Sequence, residues 1–216
     1  AFYLKQPEYC MAVTGTDGKT STADFVRQLA QLSQLNGASI GTLGLRSHAP
    51  EMDSKFPSIN TSPEPILLHR MLQELAEAGT KVVAIETSSH GLDQKRADGV
   101  KFCAGAFTNL TRDHLDYHGT LDAYFTAKAR LFDVVLAKGS VAVFNRDDVK
   151  FDALNAIANA RGLKVISFGK AEAADYRIVS VAPHANGLDA ELVLDGQAHA
   201  VSLPLYGAFQ LSNMLA

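Results

Sequence analysis

The chain has no tryptophan, only two cysteines among 216 residues, and no excess of basic charge, its formal net charge being -3. Each shortage excludes a class of protein. Cys10 and Cys103 lie in short apolar runs with no cluster of Cys or His around them, so neither a disulfide scaffold nor a zinc site is expected. They read as buried free thiols of a reducing compartment. Without a basic footprint, nucleic acid is not expected as a main partner. No apolar run approaches the ~18 residues of a membrane-spanning helix, so no membrane insertion is expected. The first residues also lack the basic-then-apolar order of a secretory leader. The expected setting is soluble and cytoplasmic.

What is present is an ordinary globular composition, 47% hydrophobic and 20% charged, with no repeat and no low-complexity tract. At this length the chain can bury a sizeable core as one large or two small domains. Short apolar runs predict strands over 9–13, 38–43, 81–85, 102–107, 141–144 and 164–168. Helical spacing predicts helices over 19–35, 64–78, 121–136 and 148–160. The first helix has Phe25, Leu29 and Leu32 at helical spacing. The second carries Leu68, Met71, Leu72 and Leu75 on one face, behind Pro63 and Pro65 at a start where proline is tolerated. Such alternation predicts an α/β fold, a parallel sheet flanked by helices on both faces with ligands at the carboxyl ends of its strands. After about residue 174 the period falls to two over 177–181, 188–194 and 198–203, with Asn186-Gly187 and Asp195-Gly196 as turns. A small antiparallel meander over 174–205 is therefore expected, attached to the core. The abrupt start at Ala1-Phe2-Tyr3-Leu4 and the helix just begun over 207–216 suggest one domain excised from a longer protein.

The most informative stretch is Thr14-Gly15-Thr16-Asp17-Gly18-Lys19-Thr20-Ser21, set between an apolar run and a helical pattern. A strand, a glycine turn and a helix form a phosphate cradle. The glycines let backbone approach the anion, the helix start offers unpaired N–H groups, Lys19 supplies a point charge and Thr20 a Mg²⁺ ligand. The common phosphate-loop pattern has glycine where this chain has Val13. The bland alternative, a strand–helix turn with a solvated lysine, fits this context less well, and ATP or GTP with Mg²⁺ is expected.

Two further runs end in chemistry. The strand over 81–85 leads into Glu86-Thr87-Ser88-Ser89-His90-Gly91-Leu92. A carboxylate at that strand end, beside a phosphate loop, is placed to hold Mg²⁺, the alternative being a helix-capping or solvated glutamate. The strand over 102–107 leads into Thr108-Asn109-Leu110-Thr111-Arg112-Asp113-His114-Leu115-Asp116-Tyr117-His118, dense enough in Asp, His, Asn and Arg to suggest a metal- or anion-handling loop. His114 and His118 share a face only if the segment is helical, and an isolated histidine is more often a structural hydrogen-bonder. Lys128 is the oddest residue. Thr120 can cap a helix whose apolar face runs Leu121, Tyr124, Phe125, Leu131, Phe132 and Val135, and Lys128 belongs to that face. Spacing alone favours a lysine snorkelling past the core edge. Held for function instead, it would be a partly buried amine of lowered pKa, able to take up CO₂ as a carbamate.

Taken together, T-G-T-D-G-K-T-S, E-T-S-S-H-G-L-D-Q-K-R, T-N-L-T-R-D-H-L-D-Y-H-G and Y-F-T-A-K-A-R-L-F resemble the Mur ligases of bacterial cell-wall synthesis in order and spacing, over nearly the whole chain. N-T-S-P at 60–63 and the S-S-H-G-L-x-Q-x-R form are similar to the family member that adds the third stem-peptide residue to UDP-N-acetylmuramoyl-L-alanyl-D-glutamate. The resemblance covers the family's central ATP-binding domain, a phosphate-loop fold. It implies that an N-terminal domain for the UDP and a C-terminal domain for the amino acid belong to the same chain, that the protein acts as a monomer, and that this domain alone does not complete the reaction. It also implies that Gly15, Thr16, Asp17, Gly18, Lys19, Thr20 and Ser21 bind ATP, with Asn213 by the adenine. Thr20 and Glu86 would hold one Mg²⁺, and His114 and carbamylated Lys128 a second. Lys19, His114 and Lys128 would serve catalysis, while Asn60, Thr61, Ser62, Ser88, Gln94 and Arg96 bind the muramoyl-dipeptide. Two positions depart from the family pattern: Asp17 and Gln210 stand where asparagine is usual. The implied reaction is attack of the dipeptide carboxylate on the γ-phosphoryl group, giving an acyl phosphate that an incoming amine displaces. Two other readings stay open, a related amide ligase such as folylpolyglutamate synthetase and a non-catalytic ATP-binding module. N-T-S-P and Q-x-R argue against the first, and intact Lys19, Glu86, His114 and Lys128 against the second.

Overall fold

The computed structural model describes residues 3–56 and 60–216; Ala1, Phe2 and residues 57–59 lie outside them. At the centre is β1 (Tyr9–Thr14), pairing parallel with β4 (Val82–Glu86) on one side and β5 (Ala104–Phe107) on the other. Beyond β4 comes parallel β2 (Gly37–Gly41), and antiparallel β3 (Gly44–Arg46) forms that edge. Beyond β5 come β6 (Val141–Asn145) and β7 (Lys164–Gly169), both parallel. The expected α/β architecture is present, but the meander is no separate sheet. Its first strand, β8 (Tyr176–His184), pairs parallel with β7 through Phe168↔Tyr176 and Gly169↔Arg177. Then β9 (Gly187–Leu194) and β10 (Gln197–Leu203) return antiparallel, completing one ten-stranded sheet.

Several elements differ from expectation for local reasons. The strand predicted over 38–43 breaks after Gly41, because Gly44 takes a left-handed φ of 79° and turns the chain back as β3. The first long helix, α1 (Lys19–Leu32), does not bury the expected face. Leu29 and Leu32 are 49% and 80% exposed, whereas Thr22, Ala23 and Ala30 are buried. Small residues win here because α1 lies so close to β2 that a Cβ on Gly37 would sit 2.7 Å from the Arg27 carbonyl oxygen. Short α2 (Pro50–Lys55) was not expected, whereas α3 (Pro65–Glu77) buries Leu68, Met71, Leu72 and Leu75 as predicted. Two further short helices, α4 (Ser89–Asp93) and α5 (Leu115–His118), lie in the strand-end loops. The helix expected over 121–136 is α6 (Leu121–Arg130), capped by Thr120 and ending in a π-helical turn, Leu131–Val135. Its face holds except at Leu121, 41% exposed at the first turn. The remaining helices are α7 (Phe151–Arg161) and α8 (Ala208–Leu215). A main apolar core fills the parallel region, and a smaller one under α8 joins Ile178, Leu188, Ala190, Leu192 and Leu211. Both cysteines are free, Cys10 buried and Cys103 half-buried. Among the described residues no helix is long and apolar enough to cross a membrane.

Candidate functional site: a phosphate loop and its cleft

The loop from β1 to α1 leaves the sheet where the strand order switches direction, the place where such folds bind ligands. Val13 is a buried strand residue paired with Glu86 and Ala106, so its departure from the common pattern falls in the sheet and not in the turn. Two glycines make the turn. Gly15 (φ 141°) has no room for a Cβ, which would overlap the Thr108 hydroxyl, and at Gly18 (φ 84°) a Cβ would overlap the Asn213 carboxamide. Gly18 precedes α1 without a capping side chain, so the amides of the helix's first turn are free to meet an anion.

The loop is braced from the β5 side. Thr16 N donates to the Asn109 carbonyl at 2.9 Å and Asp17 N to Asn109 Oδ1 at 2.9 Å. Thr108 Oγ1 donates to the Asp17 carbonyl at 2.6 Å, and Thr111 Oγ1 to Asp17 Oδ2 at 3.3 Å. Thr108, Asn109 and Thr111 therefore hold the phosphate loop in shape; the first half of the expected metal-handling segment is a brace. The unusual Asp17 carboxylate is tied into the same brace.

A cleft of about 250 Å³ opens above the loop, lined by Thr16 to Ser21, Thr42, Thr61, Glu86, Ser88, Ser89, His114 and Lys128. Lys19 Nζ folds back onto the Gly15 and Thr16 carbonyls at 3.0 and 2.6 Å. Burial lowers its pKa, against the attraction of Glu86, Asp17 and Asp113. Glu86, 2% exposed at the end of β4, accepts from Thr20 Oγ1 at 2.9 Å, Thr42 N at 2.9 Å and Thr42 Oγ1 at 3.1 Å. Burial raises its pKa, and those donors with Lys19 oppose the rise. Gly41 makes room for this carboxylate, since a Cβ there would overlap Oε1.

Lys128 does not snorkel. It is 1% exposed, its Nζ donates to the Gly15 carbonyl at 2.6 Å, and it lies 4.4 Å from the Tyr124 ring centroid. Burial, reinforced by Lys19, lowers its pKa to about 7. Tyr124 adds a second tie to the loop, donating to Thr16 Oγ1 at 3.2 Å. His114 faces the same cleft from a left-handed turn (φ 49°), stacked edge-on against His90 at 4.9 Å between ring centroids. His118 falls behind it, 5.3 Å from the Tyr124 ring, and is absent from the cleft wall.

On the β4 side, Ser62 Oγ donates to the Glu86 carbonyl at 3.1 Å and accepts from Ser88 N at 2.8 Å. Ser88 Oγ caps α4 by accepting from Gly91 N at 3.0 Å. Arg96 grips Gln94 Oε1 at 2.9 and 2.6 Å, the Ser62 carbonyl at 2.9 Å and Glu64 at 3.0 Å. Thr61 meets Thr42 hydroxyl to hydroxyl at 3.1 Å.

Residues 13–216 match the family described as the Mur ligase middle domain. The chain belongs to the Mur ligase middle domain family. It is 44% identical, over its whole length, to the UDP-N-acetylmuramoyl-L-alanyl-D-glutamate–2,6-diaminopimelate ligase of Caulobacter vibrioides, and 45% identical over 99% of its length to the ligase of the same name from Mesorhizobium japonicum. It spans 44% and 43% of the length of these curated relatives. A solved structure of a ligase of that name is 34% identical, with a TM-score of 0.85 over 98% of this chain and 42% of its own. An FPGS–AMPPCP complex, 17% identical with a TM-score of 0.77 over 98% of this chain and 57% of its own, shares the fold.

This Mur ligase middle domain brings Lys19, Thr20, Glu86, His114, Lys128, Thr61 and Ser88 to one cleft. Ser62, Gln94, Arg96, Asn60 and Asn213 are not on its wall. Asn213 instead roofs Gly18, receives Thr22 Oγ1 on its carbonyl at 2.9 Å, and donates its amide to Gln210 Oε1 at 3.0 Å. The unusual Gln210 thus anchors that amide. Thr42 and Tyr124 adjoin this cleft with no sequence signal for it, since Thr42 lies inside the strand predicted over 38–43 and Tyr124 on an apolar helix face, whereas Asn109 and Ser89 lie in the two strand-end segments. A Thr20 hydroxyl on a buried carboxylate is the donor set a hard divalent cation takes. Among the described residues no three His, Cys, Asp or Glu side chains group to hold an ion by themselves. Lys128 as an amine donates and offers no oxygen, so it fits a second ion only once carbamylated.

Proposed function

We propose that this domain is the nucleotide-binding part of an ATP-dependent ligase acting on UDP-N-acetylmuramoyl-L-alanyl-D-glutamate in peptidoglycan precursor synthesis, with 2,6-diaminopimelate as the incoming amine. The convergence of Lys19, Thr20 and Glu86 on one cleft carries the reading. The amine follows the names of relatives 44% and 45% identical. Lys19 would leave the loop carbonyls for the phosphate and, with the first-turn amides, neutralise the γ-phosphoryl group as charge moves onto it. The dipeptide carboxylate attacks in line, ADP leaves, and the amine then displaces phosphate from the acyl phosphate. No side-chain nucleophile is needed, because positioning and charge neutralisation suffice. Mg²⁺, held by Thr20 and Glu86, would supply positive charge beside the phosphate oxygens. A second ion would lie with His114 and Lys128, whose amine, at a pKa of about 7, is neutral often enough to take up CO₂. Asn60, Thr61, Ser62, Ser88, Gln94 and Arg96 would meet the muramoyl-dipeptide. The remaining parts of a cytoplasmic, monomeric enzyme would hold the UDP and the amine and exclude water.

The test is Lys19→Ala in the full-length protein, assayed as ADP release dependent on the muramoyl-dipeptide. A loss of about 10²–10³ in rate is expected, as for other preorganised charge-stabilising donors. A rate within roughly a factor of two of the parent, far short of that loss, would give the loop another job.

A further inference from the structure

The hydroxyls around the end of β4 are almost all committed. Thr20 donates to Glu86, Ser62 to the Glu86 carbonyl, and Thr87 to the Val13 carbonyl, while Ser88 accepts from Gly91 N. Ser89 is the exception on the cleft wall. It is 1% exposed, its Oγ has no hydrogen-bond partner among the described residues, and it lines the cleft with Lys19, Thr20, Glu86 and Lys128. Thr14 Oγ1 is also buried and unpartnered, but Thr14 is not on that wall.

A buried hydroxyl left without a bond costs stability, and such groups in native proteins mark places completed by something else. Lys19 and the uncapped amides at the start of α1, in the same cleft, fix the sign of what completes this one. We infer that Ser89 donates its hydroxyl hydrogen bond to an anionic oxygen of the bound reactants, as a further substrate-contacting residue. A neutral O–H suits the position, since it adds a donor to the cleft of Lys19 without adding charge to that of Glu86. The inference rests on the ligase reading above. The oxygen belongs either to the nucleotide's phosphoryl groups or to the carboxylate that attacks them.

Ser89→Ala and Ser89→Thr in the full-length protein separate the possibilities, the first deleting the donor and the second keeping a hydroxyl that should restore binding. The free Ser89→Ala variant should melt at the parent's temperature or above it, because no protein hydrogen bond is lost. If the oxygen is phosphoryl, affinity of Ser89→Ala for the probe Mg–AMPPCP should fall roughly 10–100-fold, the worth of a hydrogen bond to a charged group. If it is the carboxylate, AMPPCP affinity should stay at the parent's value and kcat/KM for the UDP-muramoyl-dipeptide should fall by the same factor. A Ser89→Ala variant matching the parent in both would leave Ser89 with an ordered water only and overturn the assignment. A clear drop in melting temperature with binding unchanged would overturn it too, by revealing a structural bond. A parent protein that binds no AMPPCP would sink the ligase reading and this inference together, whereas a binding parent with an indifferent Ser89→Ala variant would sink this one alone.

Discussion

Replacing Lys128 by methionine keeps an unbranched side chain in the core of α6 and deletes the amine, which makes it a probe of what burial does to charge. In the folded protein the Lys128 pKa falls from 10.5 to about 7, chiefly by burial and next by the neighbouring Lys19, with Asp113 and Asp17 pulling the other way. The unfolded chain keeps its proton until about pH 10.5. Between those values the unfolded state holds more protons, so stability rises with pH, and the gain is lost as pH falls through the folded pKa. The whole span corresponds to about 5 kcal/mol, and the part between about pH 6.5 and 8.5 to about 2 kcal/mol. For a domain of this size that is roughly 4–8 °C in melting temperature. The measurement is a denaturant or thermal melt of parent and Lys128→Met at both pH values in CO₂-depleted buffer, taking the difference of differences so that other titrating groups cancel. The parent should gain on the variant as pH rises. Parallel pH dependence in the two proteins would show that the amine keeps its proton in the fold, and would refute the reasoning.

Gly18→Ala should cost about 1–3 kcal/mol, for the left-handed backbone and the overlap with Asn213, and should abolish nucleotide binding. Parent-like melting and titration curves would mean that the turn relaxes freely. Glu86→Gln sets an amide group against the Thr42 N–H and the Thr20 hydroxyl, so it should destabilise by about 1–3 kcal/mol and flatten the Mg²⁺ dependence of nucleotide affinity. An unchanged Mg²⁺ dependence would remove Glu86 from the ion site.

What the sequence made legible was chemistry tied to local pattern. The glycine turn with Lys19 and Thr20, the carboxylate closing an apolar run at Glu86, and the lysine breaking an apolar helix face at Lys128 all come from positions read against their neighbours. Illegible features depended on distance across the fold. Leu29 and Leu32 fit a helical period, yet the close approach of α1 to Gly37 gives the buried face to alanines and Thr22. The meander's period of two was plain, but its parallel seam with β7 rests on just two residue pairs that no local signal marks. Ser88 and Ser89 are adjacent and chemically identical; only the helix cap distinguishes the one spent on Gly91 from the one left facing the cleft. Likewise the bond from Arg96 to the Ser62 carbonyl joins residues 34 apart in sequence, and no local pattern marks it.

That two-pair seam has a dynamic consequence. The meander has a small core of its own and is otherwise tied to the parallel region by Asp175, which accepts from Ser167 N and Oγ of β7, and by α8, which rests on α1 and on β7. A unit so stitched is expected to open before the parallel strands do, and weaker amide-exchange protection over 176–203 than over β1 and β4 would check it. Asn213 of α8 roofs Gly18 and is held to α1 by Thr22, so an opening that took α8 with it would uncover the nucleotide turn. A nucleotide bound at that turn would then oppose the opening, and protection over 208–215 should rise when it binds.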